Sequence, residues 1–228
     1  MKLKYFLLQL FFFWALLFKP YIAFANSDEA RDWAASKGEQ ILKILSDKDL
    51  ERKYADLDKI LYEDIDLDHA ARFVMGRYWK KMSDEQKKVY VPLFKRYTAA
   101  AYKSFPLDIP KDSIDYEIIK IQPNKNFYDV ICTISIMQPE KENNEKTNGT
   151  AKINVIFSLT KQNQKIMVRD LKIGESSLLI AYRERFNKMI HDDNDDEIEW
   201  FLEDLENITA DKEEENLLRL ERYENKVS

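Results

Sequence analysis

Glycine, cysteine and histidine are all scarce in this chain, and each shortage excludes a class of function. Only four glycines occur in 228 residues. None belongs to a G-x-G-x-x-G or P-loop pattern, which excludes a glycine-rich phosphate-binding loop. The single cysteine, Cys132, cannot form an internal disulfide. The two histidines, His69 and His191, have no His or Cys partner at the spacing of a metal site.

The sequence also offers no catalytic arrangement. No serine stands in a G-x-S-x-G context, which a nucleophile elbow would need. Asp64, Asp66 and Asp68 have the spacing that begins a calcium loop, but His69 and Met75 occupy the positions where such a loop requires Gly and Glu. Helix capping is the favoured interpretation of these aspartates. We therefore predict no catalytic residue, no metal site and no cofactor, and hence no enzyme.

The N-terminus has the three parts of a secretory signal peptide. Lys2 and Lys4 form a basic start, an apolar run of about 14 residues follows, and Ala23-Phe24-Ala25 is a cleavage site of the A-x-A type. The alternative is a membrane anchor, but the run falls short of the roughly 20 residues that span a bilayer. We predict a signal peptide over residues 1–25, with cleavage before Asn26.

Removal of this peptide makes an already acidic chain more acidic. The net charge of −5 becomes −8 once three lysines are lost. A protein of this charge is repelled by nucleic acid and by anionic membrane surfaces. We therefore predict no nucleic-acid partner, and we expect any contact with lipid to be apolar.

The apolar periodicity changes twice along the chain, from helical to alternating and back. Helical spacing predicts helices over residues 31–47, 48–64, 70–81, 83–104, 177–191 and 197–208. Alternation predicts strands over residues 113–121, 127–138, 150–161 and 164–173. Ser83 and Gln86 form a capping box, and Pro92 predicts a kink or break in the helix that follows.

This order of elements predicts an α+β fold. An antiparallel meander of four or five strands packs against the N- and C-terminal helices, with an apolar cleft between them. We expect one domain over residues 26–208, followed by an acidic helical or frayed tail over residues 209–228.

Large apolar side chains are more numerous than one sheet face needs, which suggests a cleft suited to acyl chains. The alternative is plain core packing, which we expect for most of the large apolar residues between Phe73 and Phe105. For Val155 and Phe157 a filled core is an equal possibility. The candidate lining residues of a lipid pocket are Phe73, Val74, Tyr78, Phe94, Tyr97, Tyr102, Ile134, Ile136, Val155, Phe157, Val168 and Phe186.

Two stretches resemble the MlaC (toluene-tolerance) family. Residues 66–79, followed by residues 83–86, are similar to the family's F-D-F-x-x-M-A-x-x-V-L-G-x-x-W and T-x-E-Q. Residues 168–186 are similar to its V-x-D-V, G-x-S-L and Y-R-x-x-F. The chain departs from the family at Ile166-Met167, where the family has Trp, and at Glu175, where it has Gly. The matching family-motif positions are Asp66, Gly76, Trp79, Gln86, Asp170, Ser177 and Arg183.

The resemblance implies a soluble phospholipid carrier in the periplasm of a Gram-negative bacterium. Such a carrier moves lipid between an outer-membrane lipoprotein complex and an inner-membrane ABC transporter complex, and so maintains outer-membrane lipid asymmetry. Its lipid tails are buried between sheet and helices while the head group faces water. The competing hypothesis is a periplasmic adaptor or scaffold domain whose core is filled. A cavity between sheet and helices would favour the carrier.

Overall fold

The computed structural model describes residues 27–104, 113–137 and 150–227. Within these ranges four helices precede the sheet and two follow it, as the sequence predicts. The first four are α1 (Ser27–Leu45), α2 (Leu50–Asp64), α3 (Leu67–Met75) and α4 (Asp84–Lys103), with a 3₁₀ turn at Tyr78–Lys80. The last two are α5 (Leu178–Lys188) and α6 (Ile198–Val227), with a π-helical turn at Met189–Asp193 between them. The predicted signal peptide and its cleavage site lie outside the described residues.

Side-chain caps fix where several helices begin. Asp49 caps α2, and Asp66 caps α3 through the backbone N–H of His69. The capping box of α4 is confirmed, because Ser83 accepts from the Gln86 backbone while the Gln86 side chain accepts from the Ser83 backbone. Pro92 does not break α4, which continues to Lys103.

The strands form a single antiparallel sheet in which each strand pairs with the next along the chain. Two bulges interrupt the register, one between Ile118 and Lys120 and one between Ser158 and Leu159. The predicted α+β meander is confirmed, with the fifth strand reduced to two residues. The strands are β1 (Ile114–Pro123), β2 (Tyr128–Met137), β3 (Thr150–Gln162), β4 (Lys165–Ile173) and β5 (Ser176–Ser177).

The buried residues form two clusters with different character. Helices α3 to α6 enclose an aromatic core in which the Phe186 ring lies 5.4 Å from Phe201 and 5.6 Å from Tyr97, centroid to centroid. A smaller cluster lines the helix-facing side of the sheet and includes Cys132, whose thiol pKa burial raises to about 11. The helical core is therefore filled, and the sheet cluster is the more open of the two.

The last helix extends well past residue 208. It stays helical to Val227 and packs along α4. Arg96 of α4 pairs with Glu206 and Glu213, at 2.9 and 2.8 Å. The buried Asn216 donates from Nδ2 to the carbonyl oxygen of Ala100 at 2.9 Å. Residues 209–227 thus form the end of a docked helix in this structure.

We expect Phe186→Ala to lower the free energy of unfolding by about 3–5 kcal/mol, because it leaves a cavity among closely packed rings. Urea unfolding followed by circular dichroism measures this loss. Val89→Ala is the matched control, since Val89 is 57% exposed and its truncation should change stability by about 0.5 kcal/mol or less. A loss below about 1 kcal/mol at Phe186 would contradict a filled helical core.

Candidate functional site

A cavity of about 160 Å³ lies between α1 and the helix-facing side of the sheet. Its walls are apolar apart from two charged residues, Lys37 and Asp64. The other lining residues are Trp33, Ala34, Gly38, Ile41, Leu42, Leu45, Ile60, Ile65, Ile114, Tyr116, Cys132, Ile134, Phe157 and Val168.

One side of α1 forms the outer wall. Its lining residues recur at steps of three and four along the helix, from Trp33 to Leu45, and so share one face. Yet only Ala30 and Ile44 of α1 are buried. The large residues of this face are only partly covered because they border open space instead of a packed partner.

The inner wall comes from alternate residues of four strands. In the antiparallel register Tyr116 lies opposite Ile134, so the two side chains project from the same face of the sheet. Phe157 of β3 and Val168 of β4 continue this wall. Burial raises the pKa of the Tyr116 phenol and of the Cys132 thiol. Both groups are therefore neutral at neutral pH, and this wall carries no charge from them.

A glycine brings α1 close to β1. Any Cβ at Gly38 would overlap the Tyr116 ring, so only glycine fits while the ring keeps its place. The Tyr116 hydroxyl donates to the carbonyl oxygen of Ala35 at 2.9 Å. The same helix is held at its start by Lys161, whose ammonium lies 2.6 Å from Glu29. These contacts position α1 across the sheet.

The structure places three of the predicted lining residues on this cavity: Ile134, Phe157 and Val168. Val155 is buried on the same strand face as Phe157, and Ile136 is half-buried two residues beyond Ile134. That these five residues contact lipid stays a prediction.

The other predicted lining residues lie away from the cavity. Phe73 is half-buried beneath the Arg183 guanidinium, 5.4 Å from the ring centroid. The Tyr102 hydroxyl donates to Asp58 at 2.6 Å, between α4 and α2. The remaining five are buried in the helical core: Val74, Tyr78, Phe94, Tyr97 and Phe186. That these seven residues contact lipid stays a prediction.

Most of the α1 residues that form the outer wall of the cavity are not among the lining residues predicted from the sequence. Trp33, Ile41, Leu42 and Leu45 share one side of a predicted helix, but their spacing fits a packed core equally well. Tyr116 gave no signal, because its position depends on a strand register that the sequence does not fix.

The family-motif aspartate Asp66 joins α3 to the sheet. Its Oδ1 accepts from the backbone N–H of His69 at 3.2 Å and so caps the helix. Its Oδ2 accepts from Gln162 at 2.9 Å and from Arg169 at 3.2 Å. The Asp66 backbone N–H donates to the carbonyl oxygen of Val168 at 2.9 Å. Asp66 therefore fixes one end of the cavity wall without lining it.

Asp170 and Ser177 fix the start of α5. The Ser177 hydroxyl donates to Asp170 Oδ2 at 2.7 Å and accepts from the backbone N–H of Ile180 at 3.2 Å. Asp170 Oδ1 accepts from the backbone N–H of Leu179 at 3.3 Å. The chain thus turns from β4 into β5 and then begins α5, which Ser177 caps.

Gly76 and Arg183 join α3 to α5. Gly76 has φ of +52°, and a Cβ there would lie 2.7 Å from Arg183 Nε, so a side chain would be both strained and crowded. Trp79 stacks against the guanidinium of Arg72, 5.5 Å from the ring centroid. With Gln86 in its capping box, the family-motif positions stabilise helices α3 to α6 and their junction with the sheet, which we call the frame. None of these positions is among the cavity's described lining residues.

No helix within residues 27–104, 113–137 and 150–227 combines the length and the apolar character that crossing a membrane requires. Nor do those ranges bring three or more His, Cys, Asp or Glu side chains together in a way that could hold a metal ion.

The fold resembles that of a phospholipid-binding protein from Ralstonia solanacearum, solved in complex with a phospholipid. The TM-score is 0.60, the identity is 16%, and the match covers 78% of this chain and 96% of the other. No curated protein sequence matches the chain. The family model for the MlaC protein matches residues 36–207. The chain therefore belongs to the MlaC family.

We expect Gly38→Val to lower the free energy of unfolding by about 1–3 kcal/mol, because the new side chain forces Tyr116 or α1 to move. Thermal unfolding measures the loss, and hydrogen exchange should show faster exchange in α1. Ser36→Val is the matched control, since Ser36 is exposed on the same helix. Equal stability of the two variants would show that α1 is not seated on Tyr116.

Proposed function

We propose that this protein is a soluble carrier of phospholipid in the periplasm of a Gram-negative bacterium, and that its lipid tails occupy the cavity between α1 and the sheet. The observation that carries the proposal is this cavity, whose lining is apolar except for Lys37 and Asp64. Membership of the MlaC family and the fold shared with a phospholipid-binding protein support it. The alternative of an adaptor with a filled core is less favoured, because the sheet side of the fold is not filled.

The carrier must open to be loaded. A volume of about 160 Å³ is small beside the roughly 300–1,000 Å³ of ordinary ligand pockets. The α1 helix is the element to move, because it buries few residues and is attached through the Tyr116 hydroxyl and the Lys161–Glu29 pair. Each methylene that then leaves water contributes about 0.8 kcal/mol, so two acyl chains compensate for the displaced contacts.

The carrier exchanges lipid with proteins at both membranes. In this proposal the signal peptide of residues 1–25 directs export and is cleaved before Asn26, and the mature chain of charge −8 is repelled by anionic membrane surfaces. As the resemblance to the MlaC family implies, transfer takes place through an outer-membrane lipoprotein complex and an inner-membrane ABC transporter complex. This traffic maintains the lipid asymmetry of the outer membrane.

We expect the mature protein, purified without detergent, to retain phospholipid that native mass spectrometry detects as added mass. We also expect it to take up fluorescent phospholipid from vesicles. A protein that is lipid-free after mild purification and takes up no labelled phospholipid would contradict the proposal.

We expect Ile134→Arg to lower phospholipid uptake at least about tenfold, because it places a charge in the apolar cavity. Vesicle uptake measures the change, and circular dichroism checks the fold. Ile119→Arg is the matched control, since Ile119 is 53% exposed on β1 and should leave uptake unchanged.

Ala34→Trp is a second variant, which fills the same cavity without adding a charge. It should also lower uptake. Full uptake by folded Ile134→Arg and Ala34→Trp proteins would place the lipid elsewhere.

A further inference from the structure

One charged pair interrupts the apolar wall of the cavity. Lys37 lies on the inward face of α1, one turn from Ala34 and one turn from Ile41, where every other lining residue of the helix is uncharged. It reaches Asp64 at the end of α2, with its ammonium nitrogen 2.6 Å from Asp64 Oδ2. Among the described lining residues these are the charged ones.

The Lys37 ammonium stands at the boundary between the cavity and solvent. The Asp64 side chain is 9% exposed, whereas that of Lys37 is 26% exposed. Lys37 Nζ also donates to Oε1 of the exposed Gln40 at 3.2 Å. Asp64 Oδ2 is buried and accepts no hydrogen bond from a described residue, so the ammonium is its charged neighbour there. The ammonium therefore lies at the mouth of the cavity, held by a buried carboxylate.

Stability alone does not account for this pair. Removing two charges from water costs free energy, and apolar residues of the same volume in such a place are often neutral or stabilising. The remainder of the α1 face is apolar and would accept such residues. A function for the charge explains why it stands there.

We propose that Lys37 binds the phosphate of the carried phospholipid. An ammonium group has three donors; Gln40 Oε1 accepts from one of them at 3.2 Å, and Asp64 Oδ2 lies 2.6 Å from the nitrogen as its ion-pair partner. The side chain of Lys37 is 26% exposed, so a donor that Gln40 does not use can meet a phosphate oxygen at the mouth while the acyl chains extend inward. Charge-assisted hydrogen bonds of this kind are among the stronger ones. Asp64 is the positioning residue, because it holds the ammonium in place. This proposal rests on the proposed function and adds a head-group contact to it.

The test compares two lipids that differ only in the phosphate-bearing head group. Fluorescent dioleoyl phosphatidylcholine and dioleoylglycerol have the same tails, and uptake of each from neutral vesicles gives a ratio. We expect the wild-type protein to prefer the phospholipid, and we expect Lys37→Met with Asp64→Leu to lower that preference about tenfold. The double variant removes both charges, so neither is left buried and unpaired.

Two controls distinguish a contact of Lys37 with phosphate from a purely structural role of the Lys37–Asp64 pair between α1 and α2. Lys37→Arg keeps the charge and the donors and should retain most of the preference. Glu29→Gln with Lys161→Met removes the other ion pair that attaches α1, and it should leave the preference unchanged. Thermal unfolding of all variants shows whether any change in uptake follows from lost stability.

The outcomes are distinguishable. An unchanged preference in the folded double variant would overturn the role of Lys37 while leaving the carrier function intact. Failure of the wild-type protein to take up either lipid would count against the carrier function itself. The alternative is that Lys37 binds free inorganic phosphate instead of the phosphate of a phospholipid. Inorganic phosphate that binds to the wild-type protein by phosphorus NMR, does not bind to the double variant, and does not reduce phospholipid uptake would assign Lys37 to that site and overturn the proposal.

Discussion

The apolar face of the sheet must be covered, and α1 covers it only in part. The inner residues of β1 to β4 cannot remain in water without losing the free energy that burial supplies. The α1 helix lies across them, brought close by Gly38 against the Tyr116 ring. A cavity nevertheless remains between α1 and the sheet. The large apolar residues of α1 that line it are only partly buried. Both the fold of the sheet side and its capacity to hold a ligand depend on this incomplete cover.

The family-motif residues stabilise the frame, and other residues line the cavity. Asp66 joins α3 to β3 and β4, and Asp170 with Ser177 fixes the start of α5 directly after β5. Arg183 spans from α5 to Gly76 and Phe73. Each of these contacts has a charged or polar group with a defined partner, so a residue of another type would lose the contact. An apolar wall needs only bulk and shape, and many residues can supply both.

This difference explains what could be predicted from the sequence. Hydrophobic periodicity, capping residues and turn residues are local signals. The helices, the meander and the Ser83 capping box could therefore be predicted from the sequence. The cavity depends on how α1 lies against β1, which is a tertiary relation. Ile134 and Phe157 follow from strand alternation, whereas the aromatic residues of α3 to α5 have a spacing that fits a core as well as a pocket. Sequence periodicity shows that a face is buried but not what covers it.

In the proposed carrier the two clusters have different roles. The aromatic residues at the centre of the helical core are buried, and α6 extends along α4 with its Arg96 pairs and the Asn216 contact. A frame of this kind keeps its shape while the sheet side changes. Only Ala30 and Ile44 of the 19 residues of α1 are buried, and the helix is attached at its start, at Tyr116 and through Lys37. Because regions of low local stability open first, the cavity of the proposed carrier opens by moving α1 while the frame stays folded.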